Sequence, residues 1–133
     1  MIGLYEDDML IKEYKSEQKS SEILPIFLNE ILKNYSLKAL FYANGPGSYM
    51  GIKLSFLSLK TLSIVLNIPL FAISAFELNG YGAISANKGL CFVYENSKIS
   101  LKKTDSKEFF LPKNLSSLKV EKDNLPFYFL DVI

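Results

Sequence analysis

The stretch Leu40–Leu62, LFYANGPGSYMGIKLSFLSLKTL, decides how the chain is read. A short apolar run, Leu40–Ala43, stops at Asn-Gly-Pro-Gly-Ser, and a long, mostly apolar run at helical spacing starts directly after it. Gly45 and Gly47 permit positive φ and close backbone approach, Pro46 stiffens the turn, and Ser48 has the hydroxyl to cap a helix. The pattern predicts a strand, a tight turn and a helix over residues 48–66. Pro69–Ile73 supplies the next strand, and strand, helix, strand with short turns favours a right-handed parallel crossover.

A glycine-rich turn before a helix start can hold an anion, because unpaired N–H groups and a partial positive charge collect there. This turn fits neither phosphate template. A Walker loop ends in Gly-Lys-Ser/Thr, which is missing, and the dinucleotide fingerprint spaces its glycines differently from Gly45, Gly47 and Gly51. Between Glu30 and Glu77 there is no carboxylate at all, so nothing near the turn in sequence could hold Mg²⁺ or activate a water.

The helix after the turn is apolar nearly all round. On a helical wheel Gly51, Ser55, Ser58 and Leu62 form one narrow stripe and Tyr49, Lys53, Phe56, Lys60 and Ser63 another. One face can pack on the sheet. The opposite face is covered either by a partner or by the preceding helix, and the wheel leaves both open.

Outward from this centre, Ile2–Tyr5 and Met9–Tyr14 form a predicted hairpin whose Glu-Asp-Asp tip is solvated. After the polar linker KSEQK, Ser20 or Ser21 can cap a helix in which Leu24, Phe27, Leu28, Ile31, Leu32 and Tyr35 recur at helical spacing. With Ser21 as the cap, Pro25 falls in the first turn, and the helix ends near Asn34. Phe76–Ala83 reads as a short helix. Beyond about Ala86 the predicted elements are a second hairpin, Leu90–Tyr94 and Lys98–Lys102, two polar connections and a closing strand, FYFLDVI. The expected organisation is an α/β subdomain over residues 1–83 and a reduced, mostly β second one over 84–133.

The chain has 133 residues, 49% hydrophobic and 22% charged, enough for one compact domain or one with a small appendage. A net charge of +1 gives no bulk attraction toward nucleic acid or an anionic membrane. A single cysteine, Cys91, rules out an internal disulfide, and the absence of histidine removes the commonest general base and transition-metal ligand. Cys91 sits in an apolar run and reads as a core residue. The amino terminus is acidic where a secretory signal needs a basic start, and Thr61–Ala75, read as the longest apolar region, is too short for a bilayer and is broken by Asn67 and Pro69. The expectation is a cytoplasmic protein, with no metal and no membrane contact.

Residues Asn44–Glu77, NGPGSYMGIKLSFLSLKTLSIVLNIPLFAISAFE, resemble the signature region of the bacterial TsaB (YeaZ) family, Gly-Pro-Gly-Ser-Phe-Thr-Gly-Leu/Ile-Arg followed by a helix, an "IPL" strand and Ser-x-x-Glu. Gly45, Pro46, Gly47, Ser48 and Gly51 match outright, Tyr49 stands for Phe, Lys53 for Arg, and Met50 for Thr. SSEILPIFLNEIL is similar to the family's His-Ser-Glu helix, without its His, and IGLYEDDMLIKEY to its second and third strands. The family's opening strand would precede Met1, so either the start is late or the strand is missing, and its loss would expose a sheet edge or force a rearrangement. VYENSKI replaces the Asp-Ala-Arg segment of its second domain.

The resemblance implies an actin-like, RNase-H-like fold without ATPase chemistry and with no catalytic residue. It implies a noncatalytic subunit that binds the transferase TsaD and, with TsaE, supports threonylcarbamoylation of the adenosine beside the anticodon of ANN-decoding tRNAs, touching tRNA only indirectly. Family members join TsaD, or a second copy, through the two helices matched here. The partner-facing candidates are Glu22, Phe27, Tyr49, Met50, Gly51, Lys53, Ser55, Phe56, Ser58 and Lys60, with Gly45, Pro46, Gly47 and Ser48 as the turn that aims the helix. No cofactor of its own is expected; any ATP would sit at the interface between subunits. The competing expectation is a nucleotide-binding or small enzymatic module of the same superfamily, with phosphate at Gly45–Ser48 and metal at Asp7, Asp8 or Glu77.

Overall fold

The computed structural model describes residues 1–16, 20–86, 89–121 and 123–127. Strands β1 (Ile2–Glu6) and β2 (Met9–Tyr14) pair antiparallel around a two-residue turn, Asp7 and Asp8, both at positive φ, the geometry whose twist matches a hairpin. A register shift at Leu4/Tyr5 bends the pair. Helix α1 (Ser20–Asn34) follows and ends where its periodicity stops. Ser20 and Ser21 both lie within it, so neither precedes the helix as a cap, and Pro25 falls inside it rather than in its first turn. The linker before α1 lies largely outside the described residues.

Strand β3 (Leu40–Ala43), helix α2 (Tyr49–Leu66) and strand β4 (Leu70–Ile73) are the predicted crossover, with β3 and β4 parallel in register. Ser48 caps α2 by accepting from the Gly51 N–H at 3.2 Å. Asn67 closes the helix in the left-handed region, and the Ser63 carbonyl and hydroxyl both bond to Ile68. The apolar segment of membrane-spanning length is therefore α2 itself, by length and composition alone, and not Thr61–Ala75, which is divided between the end of α2, β4 and the turn after it.

The short helix expected over Phe76–Ala83 is reduced to one 3₁₀ turn, Ala75–Leu78, capped by Ser74. Strands β5 (Ile84–Ser85), β6 (Leu90–Glu95) and β7 (Lys98–Lys103) form a three-stranded antiparallel sheet, with Asn96 and Ser97 turning the second hairpin at positive φ. Among the described residues the result is a mixed α/β structure with two α-helices and three small sheets.

The described core holds three clusters. Leu40, Tyr42, Leu70 and Ala72 pack under Phe56, Leu59 and Leu62 of α2; Leu4, Tyr14 and Ile31 join the first hairpin to α1; and Ala75, Phe76, Ile84 and Phe92 join the 3₁₀ turn to the second hairpin. Leu37 touches the first two of these.

The polar connections beyond residue 104 return to the first hairpin and the crossover. The Tyr5 hydroxyl donates to the Pro112 carbonyl at 2.6 Å and the Leu10 N–H to the Lys113 carbonyl at 2.8 Å. The Glu-Asp-Asp tip is exposed, as expected, and Asp8 is also the centre of this return. One carboxylate oxygen accepts from the Ser116 N–H at 2.7 Å, the other from the Ser116 hydroxyl at 2.9 Å and Asn114 Nδ2 at 3.3 Å, and the Asp8 carbonyl accepts from the Leu115 N–H. Donors crowded on one carboxylate favour its charged form, so the Ser116 hydroxyl first, with its N–H and Asn114, holds Asp8 below its ordinary pKa. Farther on, Tyr42 donates to the Asn124 carbonyl and Phe127 N–H to the Asn44 carbonyl. The closing strand, apart from Phe127, lies outside the described residues.

Candidate partner interface and the glycine turn

The glycine turn is filled rather than open. Gly45 and Pro46 are buried, the Gly45 carbonyl accepts from Ala75 N–H at 2.9 Å, and Gly45 has φ +118°. A Cβ at Gly45 would run into the Phe127 carbonyl and lie 3.2 Å from the Ile52 side chain, so this position requires glycine both for its backbone and for its space. The Ser48 hydroxyl is already engaged with Gly51, and the Ile52 N–H bonds to the Ser48 carbonyl at 2.9 Å. The turn fixes the direction in which α2 leaves the sheet, and the Phe127 carbonyl covers the space beside Gly45.

Carboxylates do not gather at this turn. Among the described residues there is no group of three or more histidine, cysteine or acidic side chains that could hold a metal. Glu77 accepts from the Tyr81 hydroxyl at 3.1 Å and Asp8 is held by the return segment, while buried Cys91 donates its thiol to the Thr104 carbonyl at 3.2 Å.

The candidate interface residues divide sharply. Phe56 turns to the sheet, its ring 5.7 Å from Tyr42, and Phe27 turns to the first hairpin, its ring 5.2 Å from Tyr14. Ser55 lines a cavity between α2, α1 and the two-stranded sheets, and Gly51, Ser58 and Lys60 are half-buried. Tyr49, Met50, Lys53 and Glu22 are exposed, with Lys53 Nζ 5.9 Å from the Tyr49 ring centre.

Beside them stands a stripe that the wheel did not single out. Met50 is 67% exposed, Leu57 52%, Ile64 70% and Val65 72%. At spacings of seven, seven and one these residues lie on one side of α2, interleaved with exposed Lys53 and Thr61. Sequence could have found it by asking which apolar residues of α2 remain once Ile52, Phe56, Leu59 and Leu62 are assigned to the sheet.

A structure of YeaZ from Pseudomonas aeruginosa matches 77% of this chain with a TM-score of 0.55 at 16% identity. The chain shares its fold with YeaZ. A second crystal structure, of an uncharacterized protein with similarity to peptidase YEAZ from Pseudomonas aeruginosa, matches the same share with a TM-score of 0.50 at 17% identity. The chain spans 57% of the length of each of these two structures. No protein-family model and no curated protein matches the sequence. The fold likeness to YeaZ agrees with the resemblance carried by residues 44–77.

Proposed function

We propose that this chain is a noncatalytic subunit of an actin-like, RNase-H-like fold that binds a TsaD-type threonylcarbamoyl transferase and supports modification of ANN-decoding tRNAs. The observation that carries the reading is the outward stripe of α2, where four large apolar side chains face water on a helix whose opposite side is packed. Such a patch on an otherwise mixed surface marks an association site. Covering each of these side chains would contribute on the order of 1.5–3 kcal/mol before the costs of association.

The glycine turn serves this role by aiming the helix. The contacts of Ser48 and the carbonyl packed beside Gly45 favour this over a phosphate cradle. A peptidase activity draws no support from Cys91, buried with its thiol on a carbonyl, or from a chain that lacks histidine. The subunit acts in the cytoplasm, reaches tRNA through its partner, meets the TsaE-type ATPase only within the complex, and uses the same stripe to pair with a second copy when its partner is absent.

The test is light scattering of the purified chain with and without the TsaD-type subunit from the same source. A stoichiometric complex that Ile64→Arg abolishes, with the variant's circular dichroism unchanged, supports the reading. A folded chain that forms no complex overturns it.

A further inference from the structure

A second cavity, of about 500 Å³, lies where residues 81–83, the second hairpin and residues 104–107 meet. That is the volume of a site for one small ligand. None of its lining residues belongs to α1, α2 or the glycine turn.

Tyr81 and Tyr94 form its aromatic wall. Their rings stand 5.4 Å apart at 60°, both against the fully buried Phe76, and Tyr81 lies within 10° of parallel to it. They are nonetheless 47% and 42% exposed. Tyr81 has φ +61°, directly after Gly80 at φ +65°, in a region where glycine is at ease and a bulky side chain is an outlier. Its hydroxyl is anchored on Glu77. The backbone is strained to hold a ring that remains half in water, and strain of that kind collects at ligand sites.

The basic lining is positioned as well. A Cβ at Gly82 would run into Cδ, Cγ and Cβ of Lys107, so the Lys107 stem crosses bare backbone that only glycine leaves open. The Lys107 N–H donates to the Ala83 carbonyl at 2.9 Å, and buried Asn79 holds the Gly82 and Ala83 carbonyls through Nδ2 at 3.1 and 3.2 Å. Of the lining lysines, Lys102 is tied to Glu95 at 2.7 Å, whereas Lys103 and Lys107 have no carboxylate within ion-pair distance among the described residues.

We propose that this cavity binds a mononucleotide, with its base against Tyr81 and Tyr94 and its phosphate at Lys103 and Lys107. Exposed aromatic faces stack on a planar ring, and unpaired ammonium groups take its anionic group. Thr104 and Asp105, which line the same cavity, complete the match. A base amine or a sugar hydroxyl donates to them, whereas a bare phosphate would meet the Asp105 carboxylate as a like charge. A long strand of nucleic acid is disfavoured by a net charge of +1 and by a cavity with room for one unit. The inference does not depend on the function proposed above.

The experiment is an NMR titration of the full chain with adenosine monophosphate and guanosine monophosphate. At least one of them should give saturable shifts centred on Tyr81, Gly82, Tyr94 and Lys107. Tyr81→Gly relaxes the backbone while removing the ring, and Lys107→Gln keeps a stem over Gly82 while removing the charge. Each should weaken binding about tenfold with circular dichroism unchanged. The matching nucleoside, and inorganic phosphate, should bind far more weakly than the nucleotide. No shifts at millimolar nucleotide, shifts centred on residues 45–52 instead, or equal binding by the nucleoside would overturn the proposal. So would wild-type affinity in either variant, or an oligonucleotide that binds much more tightly than the mononucleotide, which would make the hairpin a strand surface.

Discussion

The two sides of α2 have nearly the same apolar content and opposite fates. Ile52, Phe56, Leu59 and Leu62 are packed on the sheet side, with Phe56, Leu59 and Leu62 against Leu40, Tyr42, Leu70 and Ala72, whereas Met50, Leu57, Ile64 and Val65 face water. Hydrophobicity alone does not decide which side is core. The decision is made at the turn, where Gly45, Pro46 and the Ser48 cap set the angle at which the helix leaves β3.

That contrast can be broken most severely on the packed side. Ile52→Ala should lower unfolding stability by about 2–4 kcal/mol, because a buried branched side chain leaves a cavity, whereas Leu57→Ala should fall within about 0.5 kcal/mol of the wild type. Urea denaturation of both variants measures the difference, and similar losses would show that the outer side is also structural. A smaller effect belongs to the hinge between the two sides. Ser48→Ala removes the N-cap acceptor and should cost about 1 kcal/mol in the same titration, with Ser48→Thr close to wild type.

The comparison extends to the two hairpins, and there the predicted effect is local. Both turn through two residues at positive φ, but Asn96 and Ser97 only turn, while Asp8 also binds Ser116 and Asn114. Because the folded-state pKa of Asp8 is depressed, its contribution is complete above the ordinary value near 3.8 and is lost as the pH falls through the lower folded value. Protection against amide exchange at Leu115 and Ser116 should fall over that acid range, and Asp8→Asn should show weak protection at every pH. Unchanged exchange in the variant would mean that apolar contacts, not the carboxylate, hold the return segment.

The elements around the glycine turn were legible because local chemistry sets their limits. Ser48 and Asn67 bracket α2, and the apolar runs of β3 and β4 need no distant information to be strands. Pro25 misled, since a proline near a helix start is commonly in the first turn, and here the helix reaches back to Ser20. The return of residues 105–127 was not legible. It has no periodicity, and many of its hydrogen bonds reach far back along the chain, such as Asn124 with Leu70, 54 residues apart, and Ser116 with Asp8, 108 apart. Its Asn-Leu-Ser-Ser run signals a turn, but nothing local names the carboxylate that the turn receives. The outward stripe of α2 was hidden for a related reason, since surplus apolar surface becomes visible only after the packed side is known.

The Asp8 clasp also orders events in time. Ser116 is made 108 residues after Asp8, so during synthesis Asp8 waits on the order of ten seconds for its partner. Contacts this distant in sequence close slowly even in the finished chain, because the intervening loop must first give up its freedom. Until they close, the cavity that Ser55 lines lacks the return segment as one of its walls.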